Sequence, residues 1–269
     1  MLYKESQKWL SFFIFKSMKE LVEECKQFLM KQDINGCLTG SSLLDYFENQ
    51  DIDLFVYDEP SLNKVLNLLY YHPDFLILDK LEQWKFDTYI NKGDSGFKKL
   101  GLITIKFSYK TGVDVNIILK KNCNNVFSVI SSFDMNVICI GYDLKTKQYL
   151  DLSGDSHTTK IADWNRWNPQ FQEINIWSAA RILRQFERII KYYQRGYNTD
   201  NVAKKYLEII DKALEYEAIF NSESFNEKIV IFKQDANDLK AIINIWLENH
   251  TCTEEQRKEL VKLYKSFSI

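Results

Sequence analysis

This 269-residue chain has no apolar run of membrane-spanning length, no internal repeat, no low-complexity segment, no Cys-x-x-Cys spacing and almost no net charge. Each absence closes off a class. A membrane-spanning helix needs about 18 to 20 apolar residues. The most apolar early stretch, Trp9-Leu10-Ser11-Phe12-Phe13-Ile14-Phe15, is far shorter, is crowded by charged residues and precedes no small-residue cleavage site, so neither a bilayer span nor a secretion signal is expected there. The five cysteines, Cys25, Cys37, Cys123, Cys139 and Cys252, are odd in number and scattered, which indicates neither a disulfide framework nor a zinc site and predicts reduced thiols. A formal charge of -2 gives no general attraction to nucleic acid, so any RNA or DNA contact needs a local basic patch. With 45% hydrophobic and 27% charged residues the chain can bury a sizeable core, in one large or two small domains. A soluble, cytoplasmic protein is expected.

What is present is a set of acids where acids are unusual. Ile52-Asp53-Leu54-Phe55-Val56-Tyr57 reads as a strand, and strands are depleted in aspartate, yet Asp51 and Asp53 sit at alternate positions. Period-two geometry points both to one face. Asp114 opens a second apolar strand, Asp114-Val115-Asn116-Ile117-Ile118-Leu119, and joins the pair if the two strands are neighbours. Such oxygen ligands suit hard divalent cations such as magnesium or manganese. Upstream, Gly40-Ser41-Ser42 precedes Leu43 to Asn49, which reads as a short helix with Ser42 as N-cap and Asp45 in capping-box spacing. Free amides at such a helix start form a phosphate site, and Gly40 lets the backbone come close to a ligand.

Two other uses of paired aspartates fit less well. An EF-hand loop fails because Phe55 and Val56 stand where that loop needs a further oxygen ligand and a glycine. A glycosyltransferase Asp-x-Asp usually follows its apolar strand, whereas Leu54, Phe55 and Val56 follow the acids here. Ordinary structural readings, a water-facing pair at a strand end and a plain turn, remain open for each motif taken singly.

Across residues 30 to 145 the ordered combination resembles the nucleotidyltransferase superfamily of the DNA polymerase beta type, whose signature is Gly-Ser, a short spacer, Asp-x-Asp in a strand and a third acid in a later strand. Gly40, Ser41, Asp51, Asp53 and Asp114 occupy those positions. The resemblance implies an α+β fold, a small mixed sheet with flanking helices, in which Asp51, Asp53 and Asp114 hold two magnesium ions. It implies transfer of a nucleoside monophosphate from a nucleoside triphosphate (NTP) to a hydroxyl. The ions would clamp attacking and leaving oxygens from about 3.5 to 4 Å apart. Asp114 would be the candidate base, and Ser41 and Ser42 would lie on the pyrophosphate side. The Phe133-Asp134 start of a later apolar segment also resembles phage and large-virus members, with Asp134 either supporting the site or capping a strand.

Organisation follows from pattern. Residues 4 to 32 are expected to form one amphipathic helix. A helix is expected near 61 to 71, strands near 75 to 79 and 86 to 91, and a hairpin from 100 to 119 turning at Lys110-Thr111-Gly112. A helix near 124 to 132 and a strand from Asp134 to Tyr142 complete a catalytic domain at 1 to 152. Residues 153 to 172 read as a connection. A helical domain at 173 to 269 follows, with helices near 173 to 195, 201 to 220, 235 to 249 and 254 to 266, the last opened by a Thr253/Gln256 capping box. His72, His157 and His250 have no ligand-like spacing and are expected to be structural or exposed rather than catalytic, with His157 in the connection the one whose role is least defined.

In the first of those helices Arg181, Arg184, Arg188, Lys191 and Arg195 fall on one face, with Glu187 the lone acid between 181 and 195. A solvated face explains this blandly. The resemblance offers a second use, because basic residues on the helical domain commonly face the triphosphate or a nucleic-acid acceptor. The acceptor hydroxyl is expected on RNA, a tRNA 3' end above all. A protein, a small molecule or a second nucleotide are the alternatives, as is a catalytically silent nucleotide-binding module. The lysine-, asparagine- and isoleucine-rich composition points to an AT-rich bacterial or phage genome and leaves a toxin, defence or RNA-modifying role open.

Overall fold

A computed structural model describes residues 17–44, 51–78, 102–168, 186–215, 237–251, 253–256 and 258–259. They divide into two compact units. The first runs to Ile130 and takes back Ile140–Asp151, while the second comprises Ser131–Cys139 and the chain from Leu152 onward.

The first unit is built on a mixed seven-stranded sheet among the described residues, an α+β arrangement with helices on its faces. Its strands are β1 (Gly36–Thr39), β2 (Ile52–Val56), β3 (Phe75–Ile77), β4 (Leu102–Tyr109), β5 (Val113–Lys120), β6 (Ile140–Asp143) and β7 (Gln148–Asp151). Their order is β3-β4-β5-β2-β1-β6-β7, and every pairing is antiparallel except β2 with β5. The β4–β5 hairpin turns where the sequence places it. Lys110 and Thr111 both have positive φ, the signature of a type I′ turn, and the Gly112 amide donates to the Tyr109 carbonyl at 3.1 Å.

Alternation decides what each face of the sheet does. Val113, Val115, Ile117 and Leu119 of β5 and Ile52, Leu54 and Val56 of β2 point to one face and enter the main core. There they meet Val22, Cys25 and Leu29 of α1 (Met18–Met30) and Leu62, Val65, Leu66 and Leu69 of α2 (Glu59–Tyr70). Each fully buried Leu, Ile or Val there contributes about 1.5 to 3 kcal/mol. Asp58 caps α2 by accepting from the Ser61 amide at 2.7 Å, and Pro60 in its first turn starts the helix earlier than the apolar spacing suggests. The opposite sheet face carries Asp53, Asp114 and Asn116. Over β1 and β6 that face is covered by the short helix α3 (Val126–Ile130), which packs so closely that a Cβ on Gly141 would lie 2.5 Å from Val126 Cγ2.

Three expectations need correction. A single helix from 4 to 32 does not occur, because Ser17 is extended and caps α1, its hydroxyl accepting from the Glu20 amide while Glu20 accepts from the Ser17 amide at 2.7 Å. Residues 1–16 lie outside the described set. The strand from Asp134 to Tyr142 is also absent as such. Asn136–Ile138 is a 3-10 turn in the second unit, and strand begins only at Ile140. The short apolar run Val137-Ile138-Cys139-Ile140 has no period to distinguish these states. Finally, Gly40–Leu43 is itself a 3-10 turn, with Thr39 in the N-cap position. Ser42 lies inside that turn and bonds back to the Thr39 carbonyl at 3.2 Å, so it is not an N-cap. Asp45 and the rest of the expected helix to Asn49, like the strand near 86 to 91, fall outside the described residues.

The second unit is helical, with α4 (Ser156–Thr159), α5 (Phe186–Gln194), α6 (Asp200–Glu215) and α7 at 237–249. The stretch read as a connection is packed inside this unit along its described part. Ala162, Trp164, Asn165 and Asn168 are buried, Met135 bridges Trp164, and the Asn165 and Asn168 amides both donate to the Phe133 carbonyl. The last helix opens as the sequence indicates, with Gln256 N–H to Thr253 Oγ1 at 3.2 Å and Thr253 N–H to Gln256 Oε1 at 2.8 Å. Among the described residues no helix is long and apolar enough to cross a membrane.

Candidate functional site

The parallel pairing of β2 with β5 does what the acids require. Ile52 pairs with Val115 and Asp53 with Asn116, so the register carried one step further sets Asp51 opposite Asp114. All three aspartates therefore share the sheet face turned away from α1 and α2. Asp51 and Asp114 are exposed and Asp53 is half-buried between its neighbours.

Gly40 brings the backbone to this acid. Its φ is +77°, a conformation that favours glycine, and a Cβ placed on it would stand 3.6 Å from Asp53 Oδ2. The 3-10 turn that follows starts beside the carboxylate, and the first amides of such a turn have no partner within it. Ser41 is half-buried, and Ser42 is only 2% exposed.

Asp53 is flanked on both sides by polar groups that sequence reading passes over. On the β5 side the Asn116 amide donates to Asp53 Oδ1 at 2.8 Å. On the β1 side Thr39 is the direct partner of Asp53 and is fully buried. On β4, Ser108 lies opposite Asp114 and Lys106 opposite Asn116, which sets one cation on the acidic face. The available signal was the Asp114-x-Asn116 repeat of Asp51-x-Asp53, a second alternation of polar residues in an apolar strand.

The donor chemistry, three carboxylates on one face, suits a hard divalent cation. Among the described residues no three His, Cys, Asp or Glu side chains converge closely enough to enclose one as they stand. The two outer acids are exposed, and exposed side chains change rotamer within nanoseconds.

The basic helix presents a different picture. Arg181 and Arg184 lie outside the described residues. Arg188 is paired with Asp134, a carboxylate whose side chain is 12% exposed. Burial alone would lower the pKa of the guanidinium, and the Asp134 charge outweighs it to leave the value above the ordinary one. Asp134 also accepts from the Met135 amide at 3.0 Å. It thus caps the backbone and anchors Arg188. Lys191 is exposed, and Arg195 lies over the Tyr192 ring at 5.6 Å.

The histidines and the described cysteines have structural surroundings. His72 packs edge-on to Phe28 and Phe75, His157 bonds Tyr197 at 3.0 Å, and His250 meets Asp200 at 2.8 Å. Cys25, Cys37, Cys123 and Cys139 are buried thiols outside any disulfide, and burial pushes the pKa of the first two up to about 12, far from a reactive thiolate.

No protein-family model matches the chain, and no curated protein sequence does. Among solved structures it is similar to a Thermotoga maritima CCA-adding enzyme complexed with tRNA, at 12% identity and a TM-score of 0.40, over 94% of this chain and 70% of that one. A CCA-adding enzyme in an apo form is similar at 13% identity and a TM-score of 0.35, over 93% of this chain and 70% of the other.

Proposed function

We propose that the protein is a metal-dependent nucleotidyltransferase, moving a nucleoside monophosphate from a nucleoside triphosphate to an acceptor hydroxyl, with Asp51, Asp53 and Asp114 as the acids that hold magnesium or manganese. The observation that carries this reading is the convergence of two distant sequence signals on one point. The Gly40 turn abuts the Asp53 carboxylate, and the β2–β5 register sets Asp114 on the same face. A structural reading of an isolated turn and a water-facing acid pair has no reason to bring them together.

In this reading the metal ions supply charge neutralisation and a lowered pKa for the attacking hydroxyl. Asp114, the one of the three acids that β5 carries, would be the base toward that hydroxyl. Gly40 and Ser41 receive phosphate through backbone amides and a hydroxyl. Lys106, on the same face, is placed to offset phosphate charge.

The acceptor is proposed to be RNA, a tRNA 3' end first, with Lys191 and Arg195 among the cations of the basic helix that would face its backbone. Arg188 is paired with Asp134, which suits it poorly to that task. The test is to incubate the protein with each labelled triphosphate, magnesium and total cellular RNA or protein. Label on RNA supports the reading. Label on protein or on a small molecule moves the acceptor, and no label in any pool with any triphosphate refutes transfer.

A further inference from the structure

Two buried oxygens flank Asp53 without a hydrogen-bond partner, and buried polar atoms are so rarely left unpaired that each asks for an explanation. One is Thr39 Oγ1, in a residue with no exposed surface, whose side chain shares the face of its antiparallel partner Asp53. The other is Asn116 Oδ1, on the opposite flank. The orientation of the Asn116 amide is set by its neighbour. An ionised carboxylate only accepts, so the nitrogen must face Asp53 Oδ1, and the amide oxygen is necessarily the end left over.

Position explains both. The amide donates to Oδ1 of Asp53, and Oδ2 is the oxygen beside Gly40. Magnesium keeps several of its waters when bound by only one or two carboxylates, and those waters are donors that need acceptors. Thr39 Oγ1 and Asn116 Oδ1 are acceptors of the right kind, one on each side of the carboxylate. A purely structural role predicts the opposite chemistry, because an unpaired hydroxyl at a fully buried position is better replaced by a methyl group.

We propose that Thr39 and Asn116 are positioning residues for the cation site, Asn116 by orienting Asp53 and both by receiving hydrogen bonds from water ligands of the cation that Asp53 binds. This rests on the nucleotidyltransferase reading and deepens it. Outer partners of metal ligands typically matter 10- to 100-fold in affinity, so roughly that loss is the expected effect of removing either.

The experiment titrates the full chain with Mn2+ by electron paramagnetic resonance, with and without a non-hydrolysable triphosphate, comparing wild type, Asn116→Ala, Thr39→Val and Asp53→Asn, each with a thermal melt. The expected result is weaker Mn2+ binding in Asn116→Ala and Thr39→Val, about 10- to 100-fold, with the Thr39→Val melting temperature unchanged or raised. Wild-type Mn2+ affinity in both variants, with loss in Asp53→Asn, would overturn this inference and leave the reading of the acids standing. Wild-type affinity in Asp53→Asn would instead overturn that reading. Should Asn116→Ala fail to fold, Thr39→Val decides alone.

Discussion

Asp53 in the sheet and Asp134 in the helical unit are both aspartates withdrawn from solvent at the edge of a packed core, and their surroundings differ in kind. Asp134 faces Arg188, so its charge is matched by a fixed cation, and it also caps the following backbone amide. Asp53 faces an amide, a threonine and a glycine, and shares its face with two further acids. A fold that only needed a polar residue there could have avoided placing three like charges on one sheet face. Asp134 therefore reads as architecture, whereas Asp53 has the surroundings from which the cation site is proposed.

The largest expected effect breaks the comparison at its functional end. Asp53→Asn, Asp51→Asn and Asp114→Asn keep shape and remove charge, and each should lower transfer by at least about 10³-fold, the several kcal/mol that metal catalysis supplies. Thermal melts should show an intact or slightly steadier fold, since like-charge repulsion is relieved. Unchanged turnover in all three would remove the basis for the proposed mechanism.

Arg188→Met probes the other end. It leaves the Asp134 carboxylate in a poorly solvated place without its cation, so a stability loss of about 1 to 3 kcal/mol is expected, measured by urea denaturation. Adding Asp134→Asn should recover part of that loss. A loss of RNA binding with no loss of stability would return Arg188 to the interface.

A third, smaller effect concerns acid stability in the sheet unit. Asp143 is disfavoured by burial, but the Thr146 amide and the Tyr57 hydroxyl at 2.9 Å hold its carboxyl below the ordinary value. A depressed folded value means that the stabilisation is fully present above the unfolded carboxyl value, about 3.9. It is lost as pH falls below that value toward the folded one. Asp143→Asn should cost about 1 to 2 kcal/mol at neutral pH and flatten the decline of stability below about pH 4. An unchanged acid limb would show that Asp143 does not govern it.

The smallest effect is local. Thr253→Ala removes the hydroxyl that accepts from the Gln256 amide and should cost about 0.5 to 1 kcal/mol in a denaturant melt. It should leave transfer untouched, and any effect on turnover would tie this helix to the site.

What could be read from sequence tracks how far each feature depends on neighbours in the chain. The Thr253/Gln256 box, the hairpin turn at Lys110-Thr111 and the alternating β5 strand are local patterns, and all three stand in the structure. The Ser17/Glu20 box is equally local, but an apolar period that continues upstream masks it. The run from Asp134 to Tyr142 misleads because its apolar centre, Val137-Ile138-Cys139-Ile140, has no period and suits a turn, a strand or a core segment alike. The gathering of the acids was legible as a condition, namely that β2 and β5 be neighbours, and the register meets it. Thr39 and Asn116 were not legible as partners of Asp53, since their importance arises from cross-strand pairing between residues far apart in sequence. The pairing of Arg188 with Asp134 escaped for the same reason, because a basic stripe on one helix says nothing of the acid packed against it.

The central claim, that the aspartate face performs nucleotidyl transfer, is tested most directly by following an α-phosphate label from triphosphate to acceptor, in wild type and in Asp53→Asn, with magnesium and with a chelator. The account predicts label on an RNA 3' end in wild type with magnesium, and none with the chelator or with Asn at position 53. Transfer that persists in Asp53→Asn, or its absence from wild type with every triphosphate and acceptor pool, would contradict it.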